Sequence, residues 1–476
     1  MRNRPLTPLE CERLGGLLKS DSLWDAVVAR IQMAGGRIFL VGGLVRDLIL
    51  GRQLKDIDVE VHHLSLAQLK EILESFAPAQ EVGKSFGVLK WRGIDWALPR
   101  SDGPGRKPAV AVDPEMSIEK ALERRDLTMN AMAIDVAHDE LIDLFGGEAD
   151  LAAGRLRVTN STRFVEDPLR FFRVMQFIGR FDLEPDNELD DLCKKMDISS
   201  LSQERIYIEY EKLLLLSRAP SRGFRWLKKI ERLDEILPEL GATVSIEQPL
   251  RWHPEGVVFE HIMQVVDAAA QQRGLPVEQR KLLLYGALAH DLGKVEATKR
   301  LPDGRLTAQG HEEVGVSIAR TLLRRMTGDK DFIKSVLIIV RHHMAPGIFV
   351  KNNARPAAYK RLALKIYPLS IWLLATFGRA DLAGRNPVSN DPLPGPFPVV
   401  DEFEEKADAI GVLFGPEEPV LRGSDFIDFV SEGPLLGDMI RRAYEIQIAE
   451  NCTEAAILKK RVVQEYIGKL FPDQKG

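Results

Sequence analysis

Cysteine is scarce in this sequence, with three residues among 476, and Cys11, Cys193 and Cys452 lie far apart. This spacing fits neither a disulfide framework nor a Cys-x-x-Cys metal site, so we expect unpaired thiols. No apolar run approaches the roughly 20 residues that cross a bilayer. The first residues also lack the apolar stretch and cleavage site of a signal peptide. These absences predict a cytoplasmic protein without a membrane partner.

The sequence also lacks an excess of positive charge. It holds 65 Lys and Arg against 70 Asp and Glu, which gives a net charge of -5, and its pI is near 6.1. This balance excludes a protein that coats nucleic acid through bulk positive charge. Two local stretches, 218–232 and 351–365, are basic and contain aromatic residues. They are interpreted either as solvated helix faces or as contacts to RNA phosphates.

Length and composition predict several folded domains. A chain of 476 residues is too long for one hydrophobic core, and 45% hydrophobic with 28% charged residues is typical of globular proteins. Strand and helix patterns alternate up to about residue 160, after which nearly all segments have helical spacing. We therefore predict an α+β fold, with a small mixed-sheet domain at 1–160 followed by helical domains at 161–245, 246–390 and 391–476.

A pair of carboxylates is the first sign of chemistry. Asp56 and Asp58 are two apart in a segment with strand alternation, so their side chains face one side and offer hard oxygen ligands for Mg²⁺. Upstream, a predicted strand ends at Gly42 and Gly43, and a helix begins directly. Glycines let a triphosphate approach the backbone, and Arg46 can reach that triphosphate. The sequence thus predicts that metal and phosphate share one site.

Further motifs follow these two in a fixed order. They are Arg124-Arg125-Asp126 with Asn130, Asp143-Leu-Phe-Gly-Gly147, Glu166-Asp167-x-x-Arg170 with Arg173, and Glu204-Arg205-Ile206 with Glu209 and Lys212. Together, over residues 38–213, the motifs resemble those of class II tRNA nucleotidyltransferases, the family of CCA-adding enzymes and bacterial poly(A) polymerases.

The resemblance implies a polymerase β-like nucleotidyltransferase head, a helical neck, and template-independent addition of C and A nucleotides from CTP and ATP to the 3′ end of tRNA. It implies that Asp56 and Asp58 are catalytic and bind Mg²⁺. In the family, the residue at Arg125 contacts the triphosphate and the residue at Asp126 contacts the ribose. The nucleotide-binding residues that the motifs imply are Gly42, Gly43, Arg46, Arg125, Asp126, Asn130, Glu166, Asp167, Arg170 and Arg173.

Two assignments have local alternatives. Asp167 and Arg170 are three apart at the start of a predicted helix and therefore share one face, where they can offer acceptors and donors to a base edge. The resemblance implies that they act as an amino-acid template for the incoming base; an intrahelical ion pair is the other interpretation. Asp95, on a later predicted strand, is either a third catalytic carboxylate or a plain strand-end residue.

Histidines cluster in the second half of the chain, where six of the nine lie between 253 and 343. His261, His290, Asp291 and Asp381 resemble the metal ligands of HD-domain phosphohydrolases. That resemblance implies a divalent metal, whose identity the sequence does not assign, and hydrolysis of 2′,3′-cyclic phosphates and related ends. His311 and the pair His342-His343 fall where that superfamily places further ligands or phosphate contacts; for any one of them a hydrogen-bonded helix histidine is the alternative.

Three other functions remain open. A poly(A) polymerase is expected to be more basic and to carry a basic segment where this chain has Gly83-Lys84-Ser85-Phe86-Gly87. An enzyme that adds only CC or only A would differ in the loop 99–114. From a different class, the chain could be an HD phosphohydrolase with an RNA-binding head, although the intact carboxylate motifs argue against an inactive head.

Overall fold

The computed structural model describes residues 3–82, 87–102 and 110–470. The chain forms two compact units, Met1–Arg232 and Leu233–Gly476, which we call the first unit and the second unit. The segment 83–86, which was compared with the poly(A) polymerase motif, lies outside the described residues. The predicted division into four domains stays a prediction.

The first unit combines a mixed sheet with short helices. Its strands are β1 Arg4–Pro5, β2 Arg37–Val41, β3 Asp58–His62, β4 Gln80–Val82, β5 Val88–Trp91, β6 Ile94–Ala97, β7 Arg100–Asp102, β8 Val110–Val112, β9 Ala133–Asp135, β10 Glu140–Ile142, β11 Arg155–Leu156 and β12 Glu184–Pro185. Its helices are α1 Pro8–Leu18, α2 Trp24–Met33, α3 Gly43–Ile49, α4 Leu66–Glu74, α5 Ile118–Glu123, α6 Gly147–Ala152, α7 Ser161–Phe164, α8 Leu169–Phe181, α9 Asn187–Lys195, α10 Gln203–Leu216 and α11 Ser221–Lys229, with a 3₁₀ turn at Thr128–Asn130.

The main sheet has eight strands in the order β1, β10, β9, β2, β3, β6, β5, β4. Strands β2 and β3 are antiparallel, with Leu40 opposite Val59, whereas β3 and β6 are parallel, with Asp58 opposite Asp95. This topology brings the end of β2 and the starts of β3 and β6 to the same end of the sheet. Buried apolar side chains such as Phe39 and Trp96 hold these strands in place.

Helices α8, α10 and α11 form a small bundle after the sheet. Phe171 and Phe172 on α8 pack against Trp226 of α11 and Tyr210 of α10, with ring centroids 5.3 and 5.7 Å apart. These contacts fix the rotation of α8, since adjacent residues on one helix face different neighbours. The opposite face of α8 is then free to carry polar residues toward the sheet.

The second unit is almost entirely helical. Its helices are α12 Leu233–Ile236, α13 Pro238–Gly241, α14 Val258–Ala270, α15 Val277–Ala289, α16 Lys294–Ala297, α17 His311–Met326, α18 Lys330–His342, α19 Ala345–Lys351, α20 Pro356–Ile366, α21 Ile371–Ala383, α22 Pro398–Ala409, α23 Pro434–Glu450 and α24 Ala455–Leu470. Strands β13 Lys299–Arg300 and β14 Leu306–Thr307 form a hairpin, and 3₁₀ turns lie at Ala242–Ser245 and Gly423–Asp425.

One stretch of this unit, Lys330–Lys351, is long and apolar enough for a membrane span by length and composition alone. It comprises α18 and α19, and 44% of its most apolar window is buried inside the protein. Ile333, Val336 and Ile339 are among its buried residues. A core helix meets the same criteria, so the stretch is weak evidence for a span.

Two local expectations differ from the structure. The pattern predicted a strand that includes Asp56, but β3 begins at Asp58, so Asp56 lies in the segment leading into the strand. The Pro- and Gly-rich stretch 99–114 was predicted to be a loop, yet its described parts, β7 and β8, pair as an antiparallel ribbon. Residues 103–109 of that stretch lie outside the described residues. Strand pairing, which local composition does not report, explains the second difference.

Candidate functional site

A cleft of about 550 Å³ opens at the sheet end where β2, β3 and β6 meet. The sequence-predicted residues that line it are Gly42, Gly43, Arg46, Asp56, Asp58, Arg125, Asp126, Asn130, Asp167, Arg170 and Arg173. Asp95 and Glu166 are not among the lining residues. Asp95 nevertheless stands opposite Asp58 in the sheet register, so its carboxylate is close enough to affect that of Asp58.

Gly42 shapes the floor of this cleft. Its φ is 73°, in the left-handed region that favours glycine, and it connects β2 to α3. A Cβ at this position would lie 3.0 Å from Nη1 of Arg125 and 3.5 Å from Oδ2 of Asp58. The missing side chain therefore lets a cation and a carboxylate approach the same point of the backbone.

Asp126 is the centre of a buried hydrogen-bond chain. Its Oδ2 accepts from Nε of Arg173 at 2.6 Å, and its Oδ1 accepts from Nδ2 of Asn130 at 2.9 Å. The Oδ1 of Asn130 accepts from Nη1 of Arg46 at 2.8 Å. Although burial raises the pKa of Asp126, Arg173 and Asn130 together lower it to about 2. This series of hydrogen bonds thus orients Arg46 and Arg173 at the two ends of one charged network.

Positive charge dominates the cleft. Its lining contains eight Lys and Arg residues against four carboxylates. Burial and the neighbouring guanidinium of Arg46 lower the pKa of Arg180 to about 10, and Arg52 adds to the effect. Arg46 and Arg180 both lie over the ring of Phe181, at 4.3 and 5.1 Å from its centroid. Cations crowded in this way favour a polyanionic ligand such as a triphosphate.

Asp56 and Asp58 provide negative charge on one side of the cleft. Burial raises the pKa of Asp58, and the nearby carboxylates of Asp95 and Asp56 raise it further, against the opposing effect of Arg125. Carboxylate oxygens are the ligands that Mg²⁺ prefers, and a divalent cation would compensate the mutual repulsion of these groups. The donor set therefore fits Mg²⁺, as the sequence predicted for Asp56 and Asp58.

Asp167 and Arg170 lie at the entry to α8, which begins at Leu169. Nη1 and Nη2 of Arg170 donate to the carbonyl oxygens of Arg163 and Arg124, each at 2.7 Å. Oδ1 of Asp167 accepts from the backbone of Leu169 at 3.1 Å. Both side chains line the cleft, but in this structure they do not pair with each other, so the predicted base template stays a prediction.

Some lining residues were missed by the sequence analysis. They are Arg100, Gln176, Phe177 and Arg180, whereas Arg124 and Lys212 lay in quoted motifs without an assigned role. Gln176, Phe177 and Arg180 follow Arg173 by three, four and seven positions, which is the spacing of one helix face. That spacing is a signal that could have extended the predicted site along α8.

A second cluster lies in the second unit, where the ends of several helices meet. His261 is on α14, His290 and Asp291 directly follow α15, and Asp381 is on α21. Nε2 of His261 is 3.3 Å from Nε2 of His290 and 3.0 Å from Oδ1 of Asp381. The structure therefore brings together the ligands predicted for the HD site.

Two more histidines join this cluster. Nε2 of His311 and Nε2 of His343 are 3.1 Å apart, and each faces Oδ1 of Asp291, at 3.1 and 3.6 Å. The other oxygen of Asp291 lies 3.4 Å from Nε2 of His290 and 3.5 Å from Nε2 of His261. Asp291 thus belongs to one possible ligand group with His311 and His343, and it also faces a second group formed by His261, His290 and Asp381; His342 belongs to neither group.

Hydrogen bonds orient the imidazoles. Nδ1 lies within 2.9 Å of a backbone carbonyl oxygen in His290, His311 and His343. As donors to these oxygens, the Nδ1 atoms leave Nε2 with a lone pair that points into the cluster. Burial and the neighbouring His290 lower the pKa of His343 to about 3, so this imidazole is neutral. Burial lowers the pKa of His261 and His311, but the contacts with Asp381 and Asp291 raise it overall. Imidazoles that have lost this proton, together with carboxylates, are a donor set that suits divalent transition metals.

The HD cluster, defined as His261, His290, Asp291, His311, His343 and Asp381, opens into a cavity of about 530 Å³. Two cations lie beside its carboxylates. Nζ of Lys294 is 2.6 Å from Asp291, and a guanidinium nitrogen of Arg385 is 2.9 Å from Asp381. These cations provide positive charge next to the predicted metal ligands.

Comparisons with known proteins find relatives of both parts of the chain. The Poly A polymerase head domain family matches residues 38–157, and the HD domain family matches residues 258–363. The Multifunctional CCA protein of Nitrosococcus oceani is 33% identical over 375 residues, which cover 75% of this chain and 87% of that protein. The chain belongs to the multifunctional CCA protein family. The family predicted from the motifs is confirmed, and the chain is a nucleotidyltransferase.

Solved structures of CCA-adding enzymes share the fold of this family member. The Bacillus stearothermophilus CCA-adding enzyme in complex with CTP aligns with a TM-score of 0.64 at 18% identity, covering 98% of this chain and 99% of that chain. The Thermotoga maritima CCA-adding enzyme complexed with tRNA-CCA aligns with a TM-score of 0.59 at 19% identity, covering 98% and 100%. The predicted α+β fold with a helical second part is confirmed.

The network around Asp126 predicts an acid-sensitive stability. Its pKa is lowered from 3.8 to about 2, so its stabilising contribution is complete above about pH 4 and is lost as the pH falls toward 2. Above pH 4, Asp126→Asn should reduce the free energy of unfolding by about 2 kcal/mol, and this difference from the native protein should shrink at lower pH.

Denaturant unfolding of both proteins between pH 6 and pH 2.5 measures this difference. Asp25→Asn, at an exposed position of α2, is the matched control. A difference for Asp126→Asn that does not change over this range would contradict the assignment of a buried ionised carboxylate.

Proposed function

We propose that this chain adds C and A nucleotides from CTP and ATP to the 3′ end of tRNA, without a nucleic-acid template. The observation that carries the proposal is the cleft of the first unit, in which the Gly42 turn, Asp56, Asp58 and eight cationic side chains converge. Membership of the multifunctional CCA protein family supports the same reaction. The tRNA substrate would place the activity in the cytoplasm.

Asp56 and Asp58 would hold Mg²⁺ at the end of the sheet. When bound there, Mg²⁺ supplies a Lewis acid that lowers the pKa of the primer 3′-hydroxyl and stabilises charge on the phosphate oxygens. Arg46 and Arg125 bind the triphosphate and neutralise the departing pyrophosphate. Asp126 keeps Arg46 in position through Asn130, so the cation is oriented before the nucleotide binds.

Base selection is proposed to depend on the start of α8. Arg170 is held by two backbone carbonyls, which fixes the plane of its guanidinium, and Asp167 lies beside it at the cleft. A fixed fork of donors next to an acceptor can read one edge of a base, and a purine and a pyrimidine differ along such an edge. This arrangement supports selection by protein side chains in place of a template strand.

We also propose that the second unit is a metal-dependent phosphohydrolase. The buried HD cluster carries this second function, because its imidazole Nε2 atoms and carboxylates converge where a divalent metal would be held. When bound, such a metal supplies an activated water that can break a phosphoester P–O bond. Lys294 and Arg385 lie where they would orient the phosphate and offset its charge.

The first test concerns the metal ligands of the cleft. Asp58→Asn should reduce CMP and AMP incorporation into tRNA by about a hundredfold or more, because it removes a metal ligand at the reacting centre. Its melting temperature should stay the same or rise, because the substitution removes a negative charge that lies near two other carboxylates, those of Asp56 and Asp95. Asp113→Asn, an exposed residue of the same unit, should retain full activity. Near-native addition by Asp58→Asn would exclude this residue as a catalytic ligand.

The second test concerns base selection. Arg170→Ala should allow UTP and GTP to compete with CTP and ATP, lowering selectivity by about tenfold to a hundredfold, with a smaller loss of total incorporation than Asp58→Asn causes. Incorporation of all four nucleotides is measured beside a melting curve.

Arg232→Ala is the matched control for Arg170→Ala. Arg232 also donates to backbone carbonyls, those of Cys193 and Met196, but does not line the cleft. The Arg232→Ala protein should lose stability and keep its selectivity for CTP and ATP. If Arg170→Ala behaves in the same way, Arg170 has a structural role only.

The third test separates the two activities. His290→Ala should abolish phosphohydrolase activity and lower the metal bound by the second unit, while nucleotide addition continues, since the cleft lies in the first unit. His342→Ala, a neighbouring histidine outside the ligand groups, should keep both activities. Loss of both activities in a folded His290→Ala protein would contradict two independent sites.

A further inference from the structure

An exposed tryptophan stands beside the HD cluster. Trp252 is 60% exposed, although large aromatic side chains are usually buried. It lines the cavity of about 530 Å³ that contains Asp291, His311 and Asp381, and also a second cavity of about 820 Å³. Trp252 therefore lies where the space above the predicted metal ligands continues into a wider groove.

The loop that carries Trp252 is tied to the cluster at both ends. On one side, Oε1 of Gln248 accepts from Nζ of Lys294 at 2.6 Å. On the other side, Oε1 of Glu255 lies 2.8 Å from Nδ1 of His261. Within the loop, the backbone N–H of Trp252 donates to the carbonyl of Pro249 at 2.9 Å. The backbone that carries the indole is thus anchored next to the predicted metal ligands before any ligand binds.

The surroundings of the indole suit a nucleotide. The guanidinium carbon of Arg251 lies 5.0 Å from the centroid of the Trp252 ring. Arg300 and Arg305 line the wider groove, together with the 69% exposed Leu250. An aromatic face with arginines beside it stacks bases and neutralises the phosphates that connect them. A simple phosphate ester has no group that would use such a face.

We propose that Trp252 and Arg251 form a base-stacking subsite for the terminal nucleoside of an RNA 3′ end whose phosphate enters the HD cluster. The inference rests on the proposed phosphohydrolase function and specifies its substrate class. The wider groove beyond Trp252 offers space for the nucleotide that precedes the terminal one, which favours an RNA end over a free nucleotide. The subsite makes the hydrolase selective for phosphates that are attached to a nucleoside.

Kinetics with two cyclic phosphates test this selectivity. The full chain is loaded with Mg²⁺, Mn²⁺, Co²⁺ or Ni²⁺, and hydrolysis of cytidine 2′,3′-cyclic phosphate is compared with that of glycerol 1,2-cyclic phosphate, which has no base. Trp252→Ala should lower kcat/KM about tenfold or more for the cytidine substrate, chiefly through KM, and leave the glycerol substrate unchanged. Trp252→Phe should restore most of the loss.

Phe414→Ala is the matched control, because Phe414 is a 72% exposed aromatic residue of the same unit that lines neither cavity. This substitution should change kcat/KM for neither substrate. Equal losses on both substrates, or no loss on either, in a folded Trp252→Ala protein would overturn the subsite.

Cross-linking tests the subsite without hydrolysis. An RNA trinucleotide that ends in 4-thiouridine 3′-phosphate is irradiated with the protein, and the cross-linked peptide is located by mass spectrometry. We expect the cross-link within residues 249–253 and its loss in Trp252→Ala. A cross-link elsewhere overturns the subsite, and stronger cross-linking by the mononucleotide overturns the assignment to RNA ends. A cross-link at this loop in a protein that hydrolyses neither cyclic phosphate would keep the subsite and refute the hydrolase.

Discussion

Asp126 lies buried between Asn130 and Arg173, and its carboxylate joins parts of the chain that are distant in sequence. A buried charge is tolerated only when it is paired and hydrogen-bonded, so the residues around Asp126 are constrained in identity and position. Through Asn130 the constraint reaches Arg46 in α3, and through Arg173 it reaches α8. The sheet, the Gly42 turn and the first helix of the bundle are thereby held around one cleft.

In the second unit, buried polar groups must likewise be paired and hydrogen-bonded, but there they form a candidate metal site. Buried imidazoles and carboxylates converge in the HD cluster, and their Nδ1 atoms are fixed by backbone carbonyls at helix ends. In the cleft, surplus cations suit an anionic ligand, whereas in the cluster the imidazoles and carboxylates are a donor set that suits a divalent metal. One chain thus contains two candidate sites that differ in the sign of the charge that each one needs from its ligand.

Much of both sites could be predicted from the sequence, because short motifs encode local geometry. Gly42, Asp58 and the pair His290-Asp291 stand at ends of strands or helices, where a few neighbouring residues decide the conformation. Tertiary pairing could not be predicted in this way. In the basic stretch 218–232, Lys229 is 2.7 Å from Asp190, almost 40 positions away, and Trp226 is buried, so those residues pack within the bundle. The role of Arg180 likewise depends on the rotation of α8, which aromatic packing decides.

The central claim is that the cleft builds the 3′ end of tRNA by reading nucleotides with protein side chains alone. Three tRNA transcripts that end before CCA, after C and after CC test it most directly, each incubated with CTP, ATP or both and resolved at single-nucleotide length. The account predicts that each transcript is completed to CCA and that growth then stops. Continued extension with ATP into long tails, or completion by only C or only A whichever nucleotides are present, would contradict it.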